Sequence, residues 1–540
     1  MKEEMAQGAI PVLAKRNEGL IRRGTGPVQF APVQEMAVWA YHKIIVPLLS
    51  SRMSKEEKSA VRAIADVSGI PYKIWRETLF QADAMMVLAR TSLMKHLLPA
   101  WFPGGIPGCT SAVALKDWTK SGRLLACRNF DYFIVGPWER NATVVFNEPS
   151  ESDQIPFVSL TSAGVQIGGV TAMNKEGLTL ATHAHFGTKL NFRGRSIVFL
   201  GDEVIRRAKN LDHAVDIVRK NRTCANWAFV MSSAKENQAI VIEMTPDQVN
   251  VRGAEDGFIA HTNFFHSSEL RRNEALLCGS YSEDLQGRIC QIRELLKPFR
   301  GALEPSHMSQ AMGNHRDYFS GEERIFGNTV SVITTVKSAV FDPGGQRFWI
   351  ASRKESPVGL GEYIEVDTER FWNQSKTQYE ESMTTLPGYE PKASRLKDAI
   401  CHYREAYCSF YNLEEPNYKQ KALERLEKAL EAYPEDGHLW IQAGILSFVG
   451  KNFSRARDFF ERSYRYQLSA HVASVRDLYL ARCLDLEGER GQALALYRSH
   501  SDIQEPKLCK AFQKGIKRPY RTREVSSIIV DLQFPDTFSY

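Results

Sequence analysis

Residues 108–131 read Gly108-Cys109-Thr110-Ser111-Ala112-Val113-Ala114-Leu115, then Lys-Asp-Trp-Thr-Lys-Ser-Gly-Arg, then Leu124-Leu125-Ala126-Cys127-Arg128-Asn129-Phe130-Asp131. Two apolar, strand-like runs flank a polar turn containing Lys120, Ser121 and Gly122, a pattern that predicts a β-hairpin. A hairpin returns the end of its second strand to the start of its first. Arg128 and Asp131 are therefore expected beside Cys109. A guanidinium next to a thiol favours the nucleophilic thiolate, and a nearby carboxylate orients a base.

The Gly-Cys-Thr-Ser step, followed by Arg128-x-x-Asp131, resembles the cysteine branch of the N-terminal nucleophile (Ntn) hydrolases: penicillin acyltransferases, acid ceramidase and N-acylethanolamine acid amidase, and bile salt hydrolases. The resemblance implies self-cleavage between Gly108 and Cys109, after which Cys109 supplies both nucleophile and base. An α-amine has a pKa of about 7.7 to 8.0, so part of it is neutral near pH 7 and can take the thiol proton without a triad histidine.

Further matches lie downstream. Asn174-Lys-Glu-Gly-Leu178 resembles the family's Asn-Glu-x-Gly-Leu turn, where a structural role is expected. His261-Thr-Asn263 resembles a Thr-Asn step whose asparagine lies beside the nucleophile, and the resemblance implies Asn263 as an oxyanion donor. Arg288, after Ser280-Tyr-Ser282, resembles the arginine that completes the site, with Arg271, Arg272 and Arg293 as competitors. The implied catalytic set is Cys109, Arg128, Asp131, Asn263 and Arg288. One departure stands at Thr182-His-Ala-His185, where bile salt hydrolases carry an asparagine. It argues against a bile-salt pocket and leaves His183 and His185 as substrate contacts. Two histidines at i and i+2 without a third ligand do not make a metal site.

Around this centre the chain divides by pattern. Residues 1–33 read as a mobile lead-in. Residues 34–108 read as a helical leader, with an apolar stripe of Met36, Val38, Trp39, Tyr41, Ile44, Ile45 and Leu48, a second helix after Ser54, and a third over Tyr72–His96. The breaker-rich segment 97–107 reads as a linker exposed to processing or a lip near an acyl pocket. From 109 to 366 strand signals dominate, at Thr143–Phe146, Val158–Thr161, Val165–Ala172, Leu178–Thr182, Trp227–Ser232, Ala239–Met244, Gly257–His261, Val330–Val336 and Arg347–Ala351. Helical patterns intervene at Ser196–Lys209, Leu211–Asn221 and Gln286–Leu296. This is an α+β layered sheet domain, which the resemblance sharpens to the αββα Ntn sandwich.

After a linker at 367–393, residues 394–515 repeat. Ala422 and Leu426 are answered thirty-four residues later by Ala456 and Phe460, and Trp440 and Gly444 keep tetratricopeptide spacing. The C-terminal region is read as all-α and tetratricopeptide-like, followed by a tail at 516–540. Such repeats leave room for a protein partner or serve as a structural cap.

With 43% hydrophobic and 24% charged residues the chain has globular composition, and a net charge of +6 over 540 residues does not point to nucleic acid. Nine cysteines without CxxC spacing argue against a zinc site and a disulfide framework. The first thirty residues hold no apolar core of a signal peptide and no run reaches membrane-helix length, so cytoplasm is the default expectation. The expected function is a self-processing amidohydrolase or acyltransferase for linear N-acyl amides or lipid-like substrates, needing no cofactor. A phospholipase B-like ester hydrolase on the same fold is the alternative within enzymes, because thiolate attack does not distinguish amide from ester. Outside enzymes, the alternative is a non-catalytic scaffold with an inactive Ntn domain.

Overall fold

The computed structural model describes residues 10–11, 14, 18, 31–88, 108–149, 151–162, 168–275, 278–373, 384–412, 415–500, 503 and 505–540. Segment 97–107, most of the lead-in and the middle of the linker lie outside these residues. So do residues 89–96 of the expected third leader helix.

The hairpin forms as the sequence requires. β1 (Gly108–Ala114) and β2 (Leu125–Asp131) pair antiparallel from Gly108↔Asp131 to Ala114↔Leu125. The chain then builds a second sheet from β3 (Ala142–Asn147), β4 (Phe157–Ser162), β5 (Thr171–Asn174), β6 (Leu178–Ala184), β7 (Trp227–Ser233), β8 (Gln238–Met244) and β9 (Val249–Gly253). It returns to the first through β10 (Phe258–His261), β11 (Thr335–Asp342), β12 (Arg347–Ala351), β13 (Tyr363–Asp367) and β14 (Thr385–Leu386). The strand orders are β10-β1-β2-β11-β12-β13-β14 and β3-β4-β5-β6-β7-β8-β9, two seven-stranded sheets.

Side-chain alternation decides the layers. Val113, Ala126, Phe341, Leu160, Val230 and Val241 meet between the sheets. On the outer face of the first sheet, Ala112, Cys127 and Val340 pack with Ile292 and Met308 of helices Gly279–Leu296 and Pro305–Met312. Leu180, Phe229 and Ile242 face the helices Ile197–Arg207 and Leu211–Lys220 on the other side. The outcome is helix, sheet, sheet, helix.

Three expectations are corrected. Residues 330–334 are not strand; the strand begins at Thr335, because Thr329 and Ser331 turn the chain through their own hydrogen bonds. β9, β13 and β14 are absent from the sequence expectation, their pattern being only half buried. In the leader stripe, Val38, Tyr41 and Ile45 are buried, whereas Met36, Trp39, Ile44 and Leu48 are exposed. A π-helical turn at Tyr41–Ile45 shifts the phase of the face.

The leader is nonetheless tied in. Asp83, fully buried, accepts from Trp227 Nε1 at 3.0 Å and from the Ile197 amide at 3.1 Å. Phe80 packs on Phe199 with ring centroids 5.5 Å apart.

Beyond residue 394 helices pack as antiparallel neighbours: Ser394–Phe410 with Tyr418–Ala432, Gly437–Val449 with Phe453–Arg462, and Ala470–Leu486 with Arg490–Ser499. Gly444 is needed for one of these contacts, since a Cβ there would lie 2.4 Å from the Phe460 ring. Alanine raises helix propensity by about 0.5 to 1 kcal/mol, but overpacking costs about 1 to 3 kcal/mol. Gly444→Ala is thus expected to lower the urea midpoint of the protein; an unchanged or raised midpoint would refute this packing.

This helical region is docked on the sheet layers. Tyr407 Oη donates to Phe133 O at 3.0 Å, and Asp436 accepts from the Ile325 amide at 2.8 Å. The chain's own C-terminus threads between: Tyr411 Oη donates to Asp531, and Gln442 Nε2 donates to Asp531 O at 3.0 Å. Among the described residues no helix is long and apolar enough to cross a membrane.

Candidate active site

Cys109 enters β1 paired with Phe130, and Ser111 with Arg128. These pairs alternate with the outward Ala112 and Cys127, so Cys109, Ser111 and Arg128 share the face between the sheets. Arg128 Nη2 lies 3.2 Å from Cys109 Sγ. The same Nη2 donates to Thr182 O at 2.6 Å, and Nη1 donates to Val170 O and Thr171 Oγ1.

Asn263 stands just past the end of β10, the other neighbour of β1. Its Oδ1 accepts from the Cys109 amide at 2.8 Å, and its Nδ2 donates to Ala184 O at 2.9 Å. In the intact chain the Nδ2 that the resemblance offers as an oxyanion donor is therefore already engaged. The amide nitrogen is engaged by a carbonyl, and the side chain faces the Cys109 nitrogen as an acceptor.

Arg288 approaches from the outer side, on helix Gly279–Leu296. Its Nη1 donates to Cys109 O and to Thr110 Oγ1, both at 2.9 Å, and its Nε to Asp284 at 2.9 Å. Its competitors are elsewhere: Arg271 donates to Phe265 O over the Phe264 ring, and Arg293 lies over Phe258. Asp131, opposite Gly108, accepts from Thr335 Oγ1 at 2.7 Å and has Arg288 Nη1 3.7 Å away. A side chain at position 108 would bring its Cβ to 3.1 Å from Asp131 Oδ2, so glycine there leaves the carboxylate close to the 108–109 peptide. The five expected residues therefore surround one another, with Cys109 at the centre.

Burial dominates the electrostatics. The Cys109 thiol is raised above its ordinary range, because loss of solvation outweighs the attraction of Arg128 and Asp131 opposes it further. The simple expectation of a lowered thiol pKa is thereby corrected: in the intact chain this thiol needs a base. Asp131 is pushed up to about 6 by burial, against the opposing effects of Arg288 and Thr335. Its Oδ2 has no hydrogen bond among the described residues. Beside it is a cavity of about 20 Å³ lined by Gly108, Asp131, Tyr281, Arg288 and Phe534, which is room for one water.

His183 and His185 are fully buried. His183 Nε2 meets Ser111 Oγ at 2.8 Å, and His185 Nε2 meets His261 Nε2 at 3.0 Å. They sit in the inter-sheet packing behind Ser111, and burial keeps both neutral by pushing them well down. Among the described residues no group of His, Cys, Asp or Glu is placed to hold a metal ion. Asn174 closes its turn structurally, accepting from the Glu176 and Leu178 amides at 3.1 and 3.0 Å. Sequence reading missed Asp284, Thr335 and Lys337. Only Lys337 left a legible trace, a charge on the face shared with Ala339 and Phe341.

The site has a family match on its scaffold. The sequence model described as acyl-coenzyme A:6-aminopenicillanic acid acyl-transferase matches residues 118–356. That span contains Arg128, Asp131, Asn263 and Arg288, and begins just after Cys109. It points to an acyltransferase or amidase of the Ntn type. No curated protein matches the chain.

Proposed function

We propose that the chain is a self-processing cysteine amidohydrolase or acyltransferase acting on linear N-acyl amides. The observation that carries this reading is that the nitrogen, carbonyl and thiol of one residue, Cys109, are each held by a separate polar side chain: Asn263, Arg288 and Arg128. A cysteine that served packing alone would need none of them.

In the first step Asp131 carboxylate relays the thiol proton, and Sγ attacks the Gly108 carbonyl. The Gly108–Cys109 C–N bond breaks, leaving a thioester and the Cys109 α-amine, which takes up the proton. A water in the small cavity by Asp131 then hydrolyses the thioester, releasing residues 1–108 with a carboxylate end. In turnover the neutral α-amine, held by Asn263 Oδ1, accepts the thiol proton. The thiolate attacks the substrate carbonyl, the amine gives its proton to the leaving nitrogen, and water or a second amine resolves the acyl-enzyme. Arg128 stabilises the thiolate, and Arg288 fixes the strand on which it sits.

The helix pairs of 394–515 are read as tetratricopeptide-like. Their contacts with the sheet layers and with Asp531 support a role within the chain as a cap. A 109–366 catalytic unit with a separate leader follows from the same proposal.

Intact mass and N-terminal sequencing of the purified native chain test the reading. Two fragments meeting at 108/109 are expected, co-eluting without denaturant because Asp83 and Phe80 anchor the leader. An N-acyl amide should then leave an acyl adduct on the larger fragment. One uncut mass and no adduct would overturn the proposal.

A further inference from the structure

Asp436 opens the helix Gly437–Val449 in the helical region, and its carboxylate does more than cap that helix. Oδ1 accepts from the His438 amide at 3.0 Å and Oδ2 from the Ile325 amide at 2.8 Å, while Arg324 Nη1 lies 3.4 Å from Oδ1. Arg324 Nη2 donates to Gln467 O at 2.8 Å, and its Nε reaches Asp317 Oδ2 at 3.1 Å. The same Asp317 oxygen accepts from Asn328 Nδ2 at 3.2 Å, and the Asn328 amide donates to Asp284 Oδ1 at 3.1 Å. The other Asp284 oxygen accepts from Arg288 Nε, and Arg288 Nη1 donates to Cys109 O. An unbroken run of hydrogen bonds and ion pairs therefore joins the helical region to the peptide of the nucleophile.

Every member of the run is buried: none of Asp436, Arg324, Asp317, Asn328, Asp284 and Arg288 is more than 4% exposed. Asn328 turns the chain at the middle of the run with a φ of +59°, which sends its amide to Asp284 and its side chain to Asp317. Desolvation offsets most of the attraction in a buried ion pair, so such a run adds little net stability over apolar packing. The helical region already has that packing, with Phe326 stacked on Tyr403 at 4.7 Å. What a run of directional bonds adds is a defined position for each of its members.

We propose that Asp436 and Arg324 are positioning residues for the Cys109 centre: through Asp317, Asn328 and Asp284 they fix the guanidinium of Arg288 against Cys109 O, which makes the helical region a working part of the active site and not a cap alone. This role deepens the reading of Cys109 as the self-processing nucleophile and rests on it. Arg288 is also 3.7 Å from Asp131, with Arg128 and Asp284 as further charged neighbours of that carboxylate. The Arg288 charge favours ionised Asp131, against burial and the Asp284 charge. An Arg288 that loses its hold thus slows processing and raises the pH at which Asp131 ionises.

The test is the rate of self-cleavage between pH 5 and 8 in the full chain made by cell-free translation, for the native sequence, Asp436→Asn, Asn328→Gly, both together, and Tyr407→Phe. Asparagine caps a helix as well as aspartate, and glycine takes a positive φ without strain, so each variant keeps the fold while cutting the run at a different link. Each should slow cleavage at least about tenfold and move the limb near pH 6 upward by at least about half a unit. Because they cut one run, the double variant should stay within about twofold of the slower single one. Tyr407→Phe removes a docking bond outside the run and should stay within about twofold of the native rate, with the limb unmoved. A native rate in Asp436→Asn, slowing with the limb unmoved, effects that multiply in the double variant, or an equal loss in Tyr407→Phe would each overturn the relay. If the native chain stays uncut, self-processing falls, and the relay is read by hydrogen exchange over residues 109–114. Exchange at least about tenfold faster in Asp436→Asn but not in Tyr407→Phe supports it, and unchanged exchange overturns it.

Discussion

Cys109→Ala is expected to leave one full-length chain where the native sequence gives two, and to reduce amide turnover by at least about 10⁴-fold, the scale of losing a covalent nucleophile. The substitution removes one sulfur from a position 3% exposed, and it leaves the Cys109 nitrogen bonded to Asn263 and its carbonyl to Arg288. The fold should therefore persist, and circular dichroism should match the native chain. Cleavage persisting in Cys109→Ala would mean that another group, or a contaminating protease, cuts the precursor. Cys109→Ser sharpens the result. A hydroxyl has a far higher pKa than a thiol, so processing should be slow but present if Asp131 acts as the base.

Asp131→Asn carries the second large effect. In the intact chain there is no α-amine, and Asp131 is the carboxylate facing the 108–109 peptide. Its pKa of about 6 sets the pH dependence: processing should rise as pH passes through about 6 and level off above it. Removing a general base typically costs 10²- to 10⁴-fold. Asp131→Asn should thus process at least about a hundredfold more slowly and lose the limb near pH 6. Stability moves the other way. The folded pKa lies above the unfolded value near 3.8, so the fold gains from a protonated Asp131. That gain is present below about pH 4 and lost as pH rises through 6, a swing on the order of 3 kcal/mol. Asp131→Asn, which cannot ionise, should melt higher than the native chain at pH 8 and at the same temperature at pH 4. A flat processing profile from pH 5 to 7 would remove Asp131 as the base, and a lower melting point at pH 8 would show that its charge stabilises the fold.

Much of the molecule was legible before any coordinates. Period-2 runs bounded by turns marked most strands, because a strand between two packed layers must alternate. Thirty-four-residue spacing of small and large residues marked the helix pairs, because Gly444 and Ala456 are where helices approach. The hairpin at 108–131 placed Arg128 and Asp131 beside Cys109, since register follows from a short turn. The parts that stayed illegible depend on non-local approach. Residues 330–334 look β-branched but are turned by hydroxyl hydrogen bonds, and the leader stripe lost its phase at a π-helical turn.

For the site, the sequence alone determined which residue types were available and that a hairpin would join three of them. Only the tertiary structure decided their contacts. Arg288 rather than Arg271 or Arg293 reaches Cys109, because one helix crosses the outer face of β1 there. Asn263 turns its Oδ1 to the Cys109 nitrogen because the end of β6 takes its Nδ2. The thiol rises rather than falls because burial between sheets outweighs one neighbouring cation. Lys337, distant in sequence, joined Cys109 only through the β1-β2-β11 order. Desolvation and strand order are properties of the packed chain, and no local pattern of residues records them.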